Sequence, residues 1–256
     1  NNFENNFINF NENYIKDTFD IIKKLEWDTE FWRKKTATLY VPKINNKILK
    51  KVSTFIKKNK IQFCSYLCLS NHSESVQLAE NFKFKFTDIR LTYEKKISSP
   101  KRKRVQNNYF FHMANKSDIK ILRQLVDNIY VSSRYYYDKN FSHKRVNLYY
   151  KDWIRKSVLG LFDDYCLILK KKNIKTILGF VTIKINNDNS ANIGLIGINK
   201  KYQGMGFGSI LFDNLVNHLI MKKIKKIYVI TQGRNIRAQR LYQQNGFVIK
   251  SSEIWY

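Results

Sequence analysis

Apolar residues along this chain recur in two periods, and the switches between them mark out the elements. Ile48, Leu49, Val52, Phe55 and Ile56 fall at helical spacing within Asn46–Lys58. Ile210, Leu211, Leu215, Leu219 and Ile220 form one stripe of a second helix over 208–223. Short β-rich runs predict strands at 36–41, 61–70, 86–96 and 108–114, and again at 164–172, 176–186, 191–198 and 225–231. Residues 73–82 read as a short helix led by a serine cap. Residues 116–133 read as an amphipathic helix with Ser117 as its N-cap. Arg134 to Gly160 is a polar, aromatic loop running into another helix, and NNDNS at 186–190 is a turn. No repeat of solenoid length occurs.

This order predicts an α/β (α+β) chain in four parts. Residues 1–24, Asn-rich, are expected to be a mobile or loosely docked N-terminus. Residues 25–97 form an α/β half-domain, too small to do much alone. Residues 98–108 form a basic linker, and residues 109–256 form the larger domain.

Composition narrows the function. The 256 residues are 43% hydrophobic, enough for a substantial core. No apolar run approaches the roughly 18 residues of a membrane span, and the first ten residues lack the order of a signal peptide. Cys64, Cys68 and Cys166 are odd in number and have no histidine at zinc spacing. They predict buried reduced thiols, a cytoplasmic protein and no metal; His72, His112 and His218 show no metal or catalytic spacing. The formal charge of +27 raises nucleic-acid binding. However, Lys, Asn, Ile, Phe and Tyr are all over-used together, which scatters lysine over solvated faces. The densest cluster, Lys95 to Arg104, has no interleaved aromatics and reads as linker. A positive field also attracts small anions.

The chemistry concentrates near the C-terminal end. Seven of the nine glycines lie at Gly194 or beyond, and three alternate in YQGMGFG, Tyr202 to Gly208. A strand, a Gly-rich turn and a helix in succession place unpaired N–H groups where they bind an anion, so a phosphate or pyrophosphate is expected there. A P-loop is excluded because Phe207 and Ser209, with no lysine, accompany Gly206 and Gly208. A dinucleotide fold is disfavoured because the next strand ends in Thr231 and Gln232 with no acidic residue. Asn235 to Phe247, NIRAQRLYQQNGF, adds a second motif. Asn235 is a good N-cap, and Gly246 is placed to end the helix. Asn235, Ala238, Gln239 and Tyr242 share one face, with a small residue and a phenol on it.

QGMGFG resembles the Gln/Arg-x-x-Gly-x-Gly/Ala signature of the GNAT superfamily of N-acetyltransferases, and N-x-x-A-x-x-L-Y-x-x-x-G-F resembles its second acetyl-CoA motif. The pair covers about the last 150 residues. The resemblance implies a mixed, splayed central sheet and acetyl-CoA as co-substrate. Gln203, Gly204, Met205, Gly206, Phe207 and Gly208 would cradle the pyrophosphate. Ile196 and Ile198 would meet pantetheine and acetyl through backbone groups, Asn235 would line the coenzyme, and Tyr242 would protonate the leaving thiolate. Gly197 departs from the alanine more usual there.

A narrower resemblance, over residues 25 to 256, is to bacterial N-acetyltransferases of TDP-linked 4-amino-4,6-dideoxy sugars, which supply surface polysaccharides such as O-antigen. Its marks are Trp27, Asp28 and Phe31, then Ser133, Arg134, Asp138, Phe141, Tyr149 and Trp153. Arg134 suits a diphosphate. Tyr135, Tyr136 and Tyr137 could stack on a base or sugar, or could equally be core tyrosines. Trp27 and Trp153 read as packing residues. Asp88, where these relatives carry an acid, is a candidate base for the substrate amine or a cap at a strand start, and His143 is a second candidate base. Cys166, with no paired histidine, is a poor nucleophile, so direct transfer is expected. Other readings are acetylation of a protein N-terminus or lysine, and a non-catalytic basic nucleic-acid module. A homodimer is expected among the partners.

Overall fold

The computed structural model describes residues 21–98, 109–171 and 176–256. The expectations for residues 1–20 and for the basic stretch at 99–108 lie outside the described residues. The chain divides into two compact units. Residues up to Arg90 and Ser252–Tyr256 belong to the first, and Leu91–Ser251 form the second.

The first unit joins three strands, β1 (Ile22–Lys24), β2 (Thr36–Leu39) and β3 (Phe63–Leu69), with helices α1 (Glu26–Trp32), α2 (Asn46–Asn59) and α3 (Ser73–Asn81). β1 runs antiparallel to β2, and β2 runs parallel to β3. The end of β10 (Val248–Trp255) pairs antiparallel with β3. α2 forms where the apolar stripe predicts it. The Asn45 side chain accepts from Ile48 N at its start, and Lys60 turns left-handed at its end. α1 is not visible in the periodicity: at seven residues it buries only Trp32. The serine cap expected for α3 is corrected, because the His72 ring accepts from Ser75 N and Ser73 is already helical.

The second unit carries β4 (Asp88–Lys96, which begins in the first), β5 (Tyr109–Met113), α4 (Ile119–Leu125), α5 (Arg134–Tyr137), α6 (His143–Val158), β6 (Tyr165–Lys171), β7 (Ile177–Ile185), β8 (Ser190–Ile198), α7 (Phe207–Met221), β9 (Lys226–Gln232) and α8 (Ile236–Gln244). Its strands lie in the order β4-β9-β8-β7-β6-β5. β5 to β8 are an antiparallel meander, and β9 joins β8 in parallel. α7 seats Leu211, Phe212, Leu215, Val216 and Leu219 in a core shared with Val181, Ile193, Val229, Tyr242 and Phe247. α4 starts differently from expectation. A 3-10 turn, Lys116–Asp118, leads into it, and Asn115, not Ser117, caps that turn in a reciprocal box with Asp118. α4 also ends at Leu125, and the following Asn128 is left-handed at φ 55°.

One irregularity shapes the centre of this unit. The β7–β8 register passes from Val181↔Ile196 to Ile183↔Ile193, so Gly194 and Leu195 face Thr182 alone. This is a β-bulge, with Leu195 N donating to Thr182 Oγ1 at 2.7 Å. Beside it, the buried Asp163 accepts from Trp153 Nε1 at 2.9 Å and Ser157 Oγ at 2.7 Å, which ties α6 to the bulge. A Cβ on Gly194 would sit 2.5 Å from one Asp163 oxygen and 2.8 Å from Thr182 Oγ1. Gly194→Ala should therefore cost about 1–3 kcal/mol in chemical denaturation; unchanged stability would contradict this account of the bulge.

Candidate functional site

Beyond the bulge, β8 and β9 stop pairing. Their ladder ends at Ile193↔Val229, although β8 continues to Ile198 and β9 to Gln232. The strands are splayed there. Asn199 N donates to Leu178 O at 2.8 Å, so odd-numbered residues at this end of β8 bond toward β7. Ile196 and Ile198 consequently turn their N–H and C=O groups to the unpaired edge. Both carbonyls hold side chains of this chain: Ile196 O accepts from Tyr130 Oη at 3.2 Å, and Ile198 O accepts from Gln203 Nε2 at 3.0 Å. Their N–H groups face the same opening.

The glycine loop follows. Gly204 and Gly206 have φ of 82° and 79°, the left-handed region that glycine occupies without penalty, and a Cβ at either would meet nothing within 4 Å. Gly206 is the cap of α7. The N–H groups of Gly204, Met205, Gly206, Phe207 and Gly208 find no acceptor among the described residues. Gly208 has another role: its missing side chain leaves room for Leu241 of α8, which a Cβ would meet at 2.7 Å. Gln203 acts as a brace, holding Ile198 O and accepting from Arg237 Nη1 at 2.7 Å.

α8 begins as its sequence predicts, with the Asn235 side chain accepting from Ala238 N at 3.2 Å, and Gly246 follows it at φ 77°. The Asn235 carboxamide is thus engaged in capping. Tyr242 is 3% exposed and packed edge-on to Tyr93 at 5.5 Å and to Phe212 at 6.0 Å. Burial, and then the neighbouring Tyr93, push its phenol pKa up. Its hydroxyl has no hydrogen-bond partner among the described residues. Tyr130, which the sequence did not single out, lies stacked 4.3 Å from Tyr150, and burial raises its phenol well above the ordinary value.

The tyrosines expected around the substrate fall in three environments. Tyr135 is buried edge-on to Phe141 at 5.1 Å. Tyr136 stacks on His143 at 3.8 Å, and His143 Nε2 lies 3.0 Å from Tyr136 O. Tyr137 is 57% exposed, with Arg234 Cζ 3.8 Å over its ring. Arg134 lies over Tyr135, its Cζ at 4.4 Å and its Nη2 donating to Tyr135 Oη at 2.8 Å. Asp88, in the first unit, is 2% exposed and accepts from Ile89 N at 2.8 Å, the geometry of a strand-start cap. The cysteines are free; burial pushes Cys64 up to about 12 and raises Cys166 further. Among the described residues no helix is long and apolar enough to cross a membrane. No cluster of His, Cys, Asp and Glu among them could hold a metal ion.

A splayed parallel pair, an amide-lined glycine loop and a helix carrying a phenol beside it are the parts of one known fold. Residues 125–247 match the model of the Acetyltransferase (GNAT) family. A dTDP-fucosamine acetyltransferase of Escherichia coli O6:H1 is 31% identical over 146 residues, 56% of this chain and 60% of that protein. The spore coat polysaccharide biosynthesis protein SpsD of Bacillus subtilis is 23% identical over 139 residues, 54% of this chain and 47% of that protein. A spermine/spermidine N(1)-acetyltransferase of Bacillus subtilis is 31% identical over 107 residues, 41% of this chain and 59% of that protein. The chain thus spans between 47% and 60% of the length of these relatives. Among solved structures, a GCN5-related N-acetyltransferase from Sphaerobacter thermophilus superposes with a TM-score of 0.64 at 12% identity, covering 91% of this chain and 74% of that one. At that identity the likeness is one of fold.

Proposed function

We propose that this chain is an acetyl-CoA-dependent N-acetyltransferase. Its acceptor in this reading is the amine of a nucleotide-linked sugar, a TDP-4-amino-4,6-dideoxy sugar, acetylated for surface polysaccharide. One observation carries the reading: five loop amides without acceptors lie at a helix start, next to an unpaired strand edge. The loop suits a coenzyme A diphosphate, since Gly204 and Gly206 leave the backbone open to close approach and the helix N-terminus favours negative charge. Ile196 and Ile198 N–H would hold the pantetheine arm and polarise the acetyl carbonyl.

The bound donor supplies an acetyl group activated as a thioester. The acceptor nitrogen forms a bond to the carbonyl carbon, the carbon–sulfur bond breaks, and the sulfur leaves with the electron pair. Tyr242 delivers a proton to that sulfur in this scheme, and its raised pKa keeps the phenol protonated well above neutrality. A sugar amine with a pKa of about 8 sheds its proton readily near neutral pH, to water or to Asp88. The dTDP-fucosamine and spore-coat relatives support the choice of acceptor. The spermidine relative supports a second acceptor class, a linear polyamine. The buried thiols fit a cytoplasmic setting, and the positive charge fits an anionic substrate; a homodimer belongs to the same reading.

Tyr242→Phe should lower kcat about 10²-fold while leaving acetyl-CoA affinity intact; a wild-type rate would remove its role as acid. Because burial raises its pKa, the alkaline fall in kcat for the parent enzyme should begin above the ordinary tyrosine value of about 10. Gly206→Val places a branched side chain at a left-handed position. Coenzyme A binding measured by calorimetry should be lost in that variant, and retained binding in a folded variant would refute the cradle. Asp88→Asn should alter the acid limb of the pH–rate profile if Asp88 takes the proton; a profile identical to that of the parent assigns the proton to water.

A further inference from the structure

We propose that Tyr130 receives the acceptor amine: its hydroxyl oxygen accepts a hydrogen bond from the amine N–H and so aims the nitrogen lone pair at the thioester carbonyl. This role rests on the acetyl transfer proposed above and deepens it, whatever the rest of the acceptor.

Tyr130 lies in the turn after α4, and that turn is held on several sides. Asn128, left-handed at φ 55°, accepts from Asn147 Nδ2 of α6 at 2.7 Å. Ile129 rests on β8, where a Cβ on Gly197 would meet Ile129 Cδ1 at 3.5 Å and the buried Phe180 ring at 2.7 Å. The bare backbone of Gly197 thus lets that ring and this turn settle close on the strand. The Tyr130 ring stacks on Tyr150 at 4.3 Å, and Tyr150 stacks on Trp153 at 6.2 Å. Trp153 in turn bonds Asp163 at the bulge. A ring fixed in this way presents its hydroxyl at one place.

That place is the splayed edge. Tyr130 Oη donates to Ile196 O at 3.2 Å, and Ile196 offers its N–H to the same gap. A phenol has one proton to give and an oxygen that still accepts. With the proton spent on Ile196 O, the oxygen presents lone pairs, and no described residue donates to it. Burial first, then Tyr150 and Tyr242, raise the phenol well above its ordinary value, so the proton stays in place. Tyr130 is therefore an acceptor and not a base. A neutral amine that gives one N–H to it keeps its lone pair for the acyl carbon. As the carbon–nitrogen bond forms, the nitrogen turns positive and its N–H becomes the stronger donor, so the contact with Tyr130 tightens. The carbon–sulfur bond breaks, and the sulfur leaves with the electron pair and takes the Tyr242 proton. The nitrogen sheds its extra proton to solvent, solvent reprotonates Tyr242, and Tyr130 keeps its own proton throughout.

The test measures kcat and KM for acetyl-CoA with a TDP-linked amino sugar, the free amino sugar and spermidine, and coenzyme A affinity by calorimetry. Tyr130→Phe keeps the ring and its stack. It should lower kcat about 10- to 100-fold with each amine the parent acetylates, the worth of one hydrogen bond to a charged group. KM for acetyl-CoA and coenzyme A affinity should stay at the parent values. Tyr130→fluorotyrosine makes the hydroxyl a better donor to Ile196 O and a poorer acceptor, so kcat should fall by a smaller factor; a residue that only anchors the turn would lose nothing. Tyr130→Phe at the parent kcat, a fluorotyrosine variant at or above the parent rate, or a loss of kcat matched by an equal loss of coenzyme A affinity would overturn the proposal. A parent that acetylates spermidine and no nucleotide sugar, with kcat for spermidine lowered in Tyr130→Phe, would remove the sugar reading and keep this role. Acetylation of the nucleotide sugar by Tyr130→Phe at the parent kcat would do the reverse.

Discussion

The second unit depends on a single misfit between two strands. Gly194 and Leu195 share one partner, Thr182, and the resulting bulge bends β8 so that its ladder with β9 ends at Ile193. Had pairing continued, the N–H groups of Ile196 and Ile198 would be consumed within the sheet. The bulge holds because Asp163 fills the space a side chain at Gly194 would need, and because Trp153 and Ser157 satisfy that buried carboxylate. A local loss of pairing thus becomes a permanent open edge.

Other contacts tune that edge without closing it. Tyr130 and Gln203 occupy the carbonyls of Ile196 and Ile198, leaving donors in excess over acceptors along the gap. The glycine loop adds five more donors, and α7 contributes the positive end of its dipole. A site with this surplus favours a ligand rich in acceptors, and a diphosphate followed by amides is such a ligand. Gln203 also reaches Arg237, so the loop, β8 and α8 are braced together. Catalysis by positioning requires parts held in this way.

Much of this arrangement was legible in the chain itself, wherever the signal was local. Alternating glycines announced the loop, and Asn235 with Gly246 delimited α8, because caps and left-handed turns depend on a few neighbouring residues. The α7 stripe and the strand runs were legible for the same reason. Tyr130, Asp163 and Arg234 were not. Each earns its place through a partner tens of residues away, Ile196, Gly194 and Tyr137, and nothing in the local spacing reports such a meeting. The run Tyr135–Tyr137 makes the same point, since one short helical turn sends three identical side chains to a core, a histidine face and the guanidinium of Arg234. Ser73 and Ser117 looked like caps, but His72 and Asn115, one or two residues earlier, supply the acceptor.

The central claim is that an open edge made by a bulge, joined to a loop of unpaired amides, receives a thioester coenzyme. A crystal structure of the protein soaked with coenzyme A tests it most directly. The account predicts the diphosphate within hydrogen-bond distance of the amides of Gly204 to Gly208, and the pantetheine arm along Ile196 and Ile198. A diphosphate bound elsewhere, with those amides facing solvent, would contradict it.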